Sequence, residues 1–542
     1  MTGVEKAGTS QPEDPKIAVV VIHGMGEQKP MQTLRSFVEC AWQRDKDLFR
    51  GLKPKGDHSP WDVWSKPDHM SGSAELRRIT TARARAPTQE GVIGQRADFF
   101  ELHWADLTAD TTWGDFMQWF RALLWRNPLL GEIPPRVLLV WLLLWLLVLA
   151  LALSALATVW PAAVRAIGSD PLDGTWLGQL LSWKWWAGVT AGLALFGAAV
   201  KAFLTAYFGD VARYVSAAPR NIKVRHEARQ RGLKLLDELN ASQAYNRIVV
   251  VGHSLGSVLA HDLVLLAWSD AVRSIRAAKD SPLHAAITAC EKASDELLGA
   301  AGYVTEELTF LRDDKGDCCK YRRKPTQSTL PTLLAAFRQS QRALFRELAV
   351  TPVEIRGQTR KSAWLISDLV TLGSPLTHAE FLIARNLCEL RTAVMMREAL
   401  RCPPVLEVEA GGRLAFSFRS PKGSDHWQPH HAAAMAAVRW TNIHDASDLV
   451  RFWLGDLISG PLSRDFGPGI VDVKVRIARP AGLLSGLMLS RLFTHTLYWA
   501  DFIRGFQSTE PAPDHVRALR EALNFLDDPA VEARLLTRAP MG

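Results

Sequence analysis

Residues Val137–Trp160 read VLLVWLLLWLLVLALALSALATVW, 24 positions without a charge. No other feature restricts the chain more. A helix rises about 1.5 Å per residue, so the run is roughly 36 Å long, enough to cross a ~30 Å hydrocarbon layer with some tilt. A second run, Trp183–Tyr207, is richer in Gly and Ala and carries Lys201 near its end, where the amine can reach headgroups. The short stretch between them predicts a two-helix transmembrane hairpin over 131–209, with Gly188 and Gly192 spaced for close helix approach. Arg121, Arg126 and Arg136 precede the first run, and Lys201, Arg213, Arg220, Lys223 and Arg225 follow from the end of the second. Only Arg165 and Lys184 stand in the connection. This asymmetry places both flanking arms on the cytoplasmic side. The start of the chain is polar and acidic, and Ile17–Ile22 is too short for a secretory core, so no signal peptide is expected.

Composition narrows the classes. Hydrophobic residues make up 48% and charged residues 22% of 542, which excludes a disordered or fibrous chain. Six cysteines without a CxxC pair argue against a disulfide framework or zinc ribbon. A net charge of +8 suits nucleic acid or a membrane surface. The basic residues cluster at the span ends, and many of the twenty Trp flank apolar runs, so the bilayer is the expected partner and nucleic acid is not.

The arms on either side alternate strand and helix signals, which argues α/β with a mostly parallel sheet covered on both faces. Lys16–His23, Ala97–Trp104, Arg247–Gly252 and Leu365–Leu372 read as strands, and Leu34–Phe49, Val211–Leu239 and the stretch from Ser257 as helices. Lys53–Gly72 reads as a polar loop, and 278–345 as a mostly helical cap or lid. The expected organisation is one catalytic domain built from 1–130 and 210–542, interrupted by the hairpin.

Gly252-His253-Ser254-Leu255-Gly256 is a G-x-S-x-G match between an apolar strand and a helix. A sharp strand-to-helix turn would push the Ser254 hydroxyl out of the sheet, and Gly252 and Gly256 remove side chains that would block it. The other reading of Ser254 is a helix-capping serine. Val21-Ile22-His23-Gly24-Met25-Gly26 places His-Gly at a strand end, as in an oxyanion loop, so the N–H groups of Met25 and Leu255 are expected to face an oxyanion. A dinucleotide loop is the rival there, but Lys29 stands where a third glycine is needed. A serine nucleophile needs a base, and the base an acid, in the chain order Ser, acid, His. Downstream, Asp445 and Asp448 lie in what reads as a polar loop, and His495 stands between aromatic residues. His253, beside the nucleophile, would point elsewhere. His426, His430 and His431 read as an exposed loop rather than a metal site. No metal or organic cofactor is expected.

Several segments together resemble the intracellular phospholipase A1 family that carries the DDHD domain. They are Gly209-Asp-Val-Ala-Arg-Tyr214, GHSLGSVLAHDLV at 252–264, Leu372-Gly-Ser-Pro-Leu376, Asn442-Ile443 with Asp448-Leu-Val, and His495-x-x-Tyr498-Trp499. Leu449 replaces the family's Pro, and Asp445 stands where the family has His. The resemblance implies an α/β-hydrolase fold with Ser254 as nucleophile, Asp448 as acid and His495 as base. It implies a lipase or phospholipase A1-like activity on membrane lipid esters. A general carboxylesterase or thioesterase, or a degenerate hydrolase fold serving as a membrane scaffold, are the other readings.

Overall fold

The computed structural model describes residues 16–24, 30–53, 58–70, 75–85, 95–108, 219–303, 329–355, 357–384, 386–409, 412–420, 425–445, 455–456, 458–477, 494–500 and 511–539, with single positions between 125 and 192. The runs expected to form the hairpin lie outside the described residues apart from those positions. The chain divides into two compact units, one of 1–104, 226–379 and 388–542, the other of 105–225 and 380–387. The first is therefore drawn from both arms of the sequence, with edges at 104 and 226 rather than 130 and 210.

An eight-stranded sheet organises this unit. Its strands are β1 (Lys16–Ile22), β2 (Val63–Pro67), β3 (Arg77–Thr81), β4 (Arg96–Leu102), β5 (Arg247–His253), β6 (Ile366–Leu372), β7 (Arg439–Asp445) and β8 (Val471–Val475), in the spatial order β8-β7-β6-β5-β1-β4-β3-β2. The six strands from β8 to β4 pair in parallel, and β2 and β3 add an antiparallel edge. Every residue of β5 and β6 is buried, as β-branched runs covered on both faces require. β1 pairs with β4 of its own arm and with β5 of the other, Ile17 opposite Arg247 and Ile22 opposite Gly252. On one face, Phe37 of α1 (Gln32–Val38), Trp42, Phe99 and Phe525 pack edge to face against one another. On the other lie α2 (Pro219–Ala241) and α3 (Leu255–Ala271), whose Leu235, Leu259 and Leu263 are fully buried.

Several expectations change. The polar stretch Lys53–Gly72 contains β2, largely exposed along the sheet edge, where a polar sequence is compatible with a strand. The apparent loop around Asp445 is β7, wholly buried. Of the stretch 278–345 expected as a cap or lid, the helices α4 (Pro282–Ala300) and α5 (Leu330–Val350) pack against the entry to β7, and 304–328 lie outside the described residues. Gln341 donates to the Met435 and Val438 carbonyls at 2.6 and 2.9 Å, and Arg338 to that of Trp440 at 3.1 Å. His430 is buried rather than in an exposed loop. Its Nε2 donates to the Val405 carbonyl at 3.0 Å, and burial, then the Arg397 charge, push its imidazole down to about 3.

The start of the strands holds a buried ionic cluster. Asp368 on β6 accepts from Arg439 on β7 at 2.8 Å and lies 3.9 Å from Arg247 on β5. Burial would raise its carboxyl, but Arg439, Arg247 and Arg342 outweigh this and hold it below the usual range. Asp527 and Glu532, at the entry to and within α6 (Pro529–Arg538), pair with Arg342 and Arg338 and so tie this C-terminal helix to α5. Asp368→Asn removes the carboxylate shared by Arg439 and Arg247 and leaves Asp527 and Glu532 alone to balance Arg247, Arg338, Arg342 and Arg439. It is expected to cost about 3–5 kcal/mol of stability, read by chemical denaturation of the purified protein.

Candidate active site

Strand β5 ends in His253, and α3 begins at Leu255, so Ser254 alone makes the turn between them. Its φ of 53° and ψ of −131° lie where few side-chain-bearing residues go. Such strain persists only where the surroundings enforce it. Here they do. The Ser254 N–H donates to the Leu372 carbonyl at 2.9 Å, and its carbonyl accepts from Ser257 Oγ. The capping reading of Ser254 fails, because its side chain caps no N–H of α3. A Cβ on Gly252 would sit 2.5 Å from Ser257 Cα, one on Gly256 2.3 Å from the Ile22 carbonyl oxygen, and one on Gly24 2.6 Å from Ser254 Cβ. These three glycines let the His-Gly end of β1 close onto the turn. His23 there receives the Trp104 N–H on Nε2 at 3.2 Å. The Leu255 N–H opens α3, among the amides with no carbonyl one turn back. Met25 lies outside the described residues.

The Ser254 hydroxyl meets His495 Nε2 at 2.7 Å. His495 Nδ1 meets Asp456 Oδ2 at 2.9 Å. The carboxylate fixes the tautomer: Nδ1–H donates to Asp456, leaving Nε2 bare to accept the serine proton. Burial opposes the charge on Asp456. His495, Tyr498 and the Ile458 N–H overcome it and hold the carboxyl down to about 2. Tyr498 donates to Asp456 Oδ2 at 2.8 Å and receives the Asp445 N–H at 3.1 Å. Burial, then the neighbouring Asp456, keep its hydroxyl protonated well above the usual range.

Of the residues expected at the site, the structure brings Ser254 and His495 together. The carboxylate it places on His495 is Asp456, which the sequence did not single out; Asp448 lies outside the described residues. Asp445 contributes through its backbone, its carbonyl accepting from the Asp456 N–H at 3.1 Å and its N–H donating to Tyr498. The only signal for Asp456 was the Gly455-Asp456 pair after β7, where Gly455 has a φ of 54°. His253 does point away from the hydroxyl: its Nε2 donates to the His495 carbonyl at 2.7 Å. Burial first, then the His495 charge, push its imidazole down to about 3, so it stays uncharged. Trp499 packs edge-on to His253 at 4.9 Å. Among the described residues, no group of His, Cys, Asp and Glu is arranged to hold a metal ion. Comparison of the chain with protein-family models, curated proteins and solved structures gives no match.

Gly373 closes the site from β6. Its φ is +59°, and a Cβ would lie 2.6 Å from the Tyr498 ring and 3.1 Å from Asp456 Oδ2. Gly373→Ala is expected to cost about 1–3 kcal/mol in a denaturation curve, from backbone strain and displacement of Tyr498. Beneath the His-Gly segment, Glu101 on β4 accepts the Met31 N–H at 2.6 Å. Burial raises its carboxyl from 4.5 to about 7, against the pull of that hydrogen bond. The folded state then binds the extra proton between these values, so stability falls as pH rises through that window. Glu101→Gln, which cannot ionise, is expected to flatten this fall by on the order of 1–3 kcal/mol, read from melting curves across the window.

Proposed function

We propose that the chain is a membrane-anchored serine hydrolase that cleaves carboxylic esters of membrane lipids. One observation carries the reading: the continuous hydrogen-bonded series from Ser254 through His495 to Asp456, at the end of a parallel sheet. In the proposed cycle His495 Nε2 takes the Ser254 proton as Oγ attacks the ester carbonyl. The Leu255 N–H, with the amide at Met25, meets the oxyanion. His495 returns the proton to the departing alkoxide, leaving an acyl-enzyme. Water, deprotonated by the same imidazole, then releases the acid and regenerates Ser254. Asp456, held by Tyr498 and Ile458, orients the imidazole and stabilises its charged form. No step requires a cofactor.

The resemblance to the DDHD-type phospholipases supports this assignment, because four of its segments supply parts that meet here. They are the Ser254 turn, Gly373, the strand of Asn442-Ile443, and His495 with Tyr498. The family's acid is taken over by Asp456. The lipid substrate follows from the proposed hairpin over 131–209, which would hold the site at the cytoplasmic face of a bilayer and raise the local concentration of lipid esters. In the unit that contains this stretch, Leu142, Leu146 and Leu149 are helical, 46–59% exposed, and spaced to share one helix face. An exposed apolar stripe of this kind suits contact with lipid. Among the described residues, the one helix long and apolar enough to cross a membrane is Leu255–Ser274, two-thirds buried in the protein and better read as the core helix behind Ser254.

The full chain, purified in neutral detergent and presented with phospholipid vesicles, is expected to release fatty acid. Ser254→Ala should abolish release, Asp456→Asn should slow it about 10⁴-fold, and Asp448→Asn should leave it near wild type. Equal release by wild type and Ser254→Ala rejects the nucleophile. Cleavage of short soluble esters alone would favour the general esterase reading.

A further inference from the structure

His495 reaches the site on a short stretch, 494–500, that belongs to no helix or strand. Its internal backbone bonds close only turns, Leu497 N–H to the Thr494 carbonyl at 2.9 Å and Ala500 N–H to the Leu497 carbonyl at 3.0 Å. Buried backbone groups need partners, and a segment outside any ladder must find them in side chains. Among the described residues, two of its backbone atoms are held from outside. His515 Nε2 donates to the Ala500 carbonyl at 2.9 Å, and His253 Nε2 to the carbonyl of His495 itself at 2.7 Å.

A carbonyl only accepts, so the His253 proton sits on Nε2. The ring that presents it is enclosed. It is 8% exposed, and its centroid lies 5.1 Å from that of His495, 5.9 Å from Tyr498 and 4.9 Å from Trp499. On the β1 side, a Cβ on Gly24 would come within 3.2 Å of its Nδ1. Burial, then the neighbouring His495, keep the ring uncharged, so it sets no second positive charge beside the imidazolium that the base becomes. Two consecutive residues of the strand-to-helix turn thus grip one residue. His253 takes the backbone of His495, and Ser254 meets its ring.

We propose that His253 is a positioning residue for the reaction: by holding the His495 carbonyl, it sets the base over the Ser254 hydroxyl. This role rests on the reading of Ser254 as nucleophile and His495 as base. It gives His253 a part in turnover beyond filling the core. Displacing a reacting group by about 1 Å can cost on the order of 100-fold in rate.

Hydrolysis of p-nitrophenyl butyrate by the full chain in neutral detergent tests it, with a melting curve for every variant. His253→Leu keeps much of the bulk and removes the donor. Its kcat is expected to fall about 100-fold, with KM within about twofold of wild type and the melting temperature little changed. His253→Gln carries an amide N–H to the position of Nε2 and should recover kcat to within about tenfold of wild type. His253→Asn carries the same amide one bond short of the carbonyl and should stay as slow as His253→Leu. The two amides decide the question should His253→Leu unfold. Equal hydrolysis by wild type and Ser254→Ala removes the nucleophile, and the role of His253 with it. With wild type active and Ser254→Ala inactive, unchanged kcat in folded His253→Leu, a loss confined to KM, or equal kcat in His253→Gln and His253→Asn each overturns the role of His253 and leaves the nucleophile standing.

Discussion

The backbone ladder between β1 and β5 is the contact on which the rest depends. It joins Ile17–Ile22 to Arg247–Gly252 across a long intervening stretch of chain. Without it the His-Gly end of β1 would not reach the Ser254 turn, since Gly24 and Gly256 touch the opposing strand end at distances that leave no room for a methyl group. Both strands are β-branched and buried on both faces, so the register is fixed by burial as well as by hydrogen bonds. The parallel arrangement also aligns the strands' carboxyl ends, where Ser254, Gly373 and Asp445 emerge side by side.

The two ends of the sheet treat buried charge in opposite ways. At the strand starts, guanidinium and carboxylate groups neutralise one another in a fixed cluster around Asp368. At the strand ends, no guanidinium partners Asp456 among the described residues; it accepts from His495 and Tyr498, and His253 is kept neutral nearby. A buried carboxylate with one imidazole and one phenol on the same oxygen fixes the orientation of that imidazole.

Much of this was legible in the residues. β1, β5 and β6 read clearly because strands covered on both faces select unbroken β-branched runs. The Ser254 turn read clearly because its glycines are demanded by close approach. β7 did not. Its Asn442 and Trp440 look like loop or surface residues, yet Asn442 pairs with Thr371, Gly460 and Asp472, and Trp440 Nε1 with Thr371, so their polarity is consumed inside the sheet. Misreading that strand as a loop drew attention to Asp448. Which carboxylate meets His495 depends on the path of the chain after Asp445, which hydrophobic patterning does not encode. The binding of His253 to the His495 carbonyl was equally invisible, because it joins positions far apart through a backbone atom.

The order of the parts along the chain has a consequence for biosynthesis. As the polypeptide emerges from the ribosome, β1 and β4 appear first but lack the neighbour that completes their sheet until residue 253 has been made. The imidazole and its carboxylate follow more than two hundred residues later still. Long-range parallel pairing of this kind is slow and leaves strand edges exposed in the meantime. The nascent chain therefore passes through a prolonged stage in which the Ser254 turn exists without His495 and Asp456 beside it.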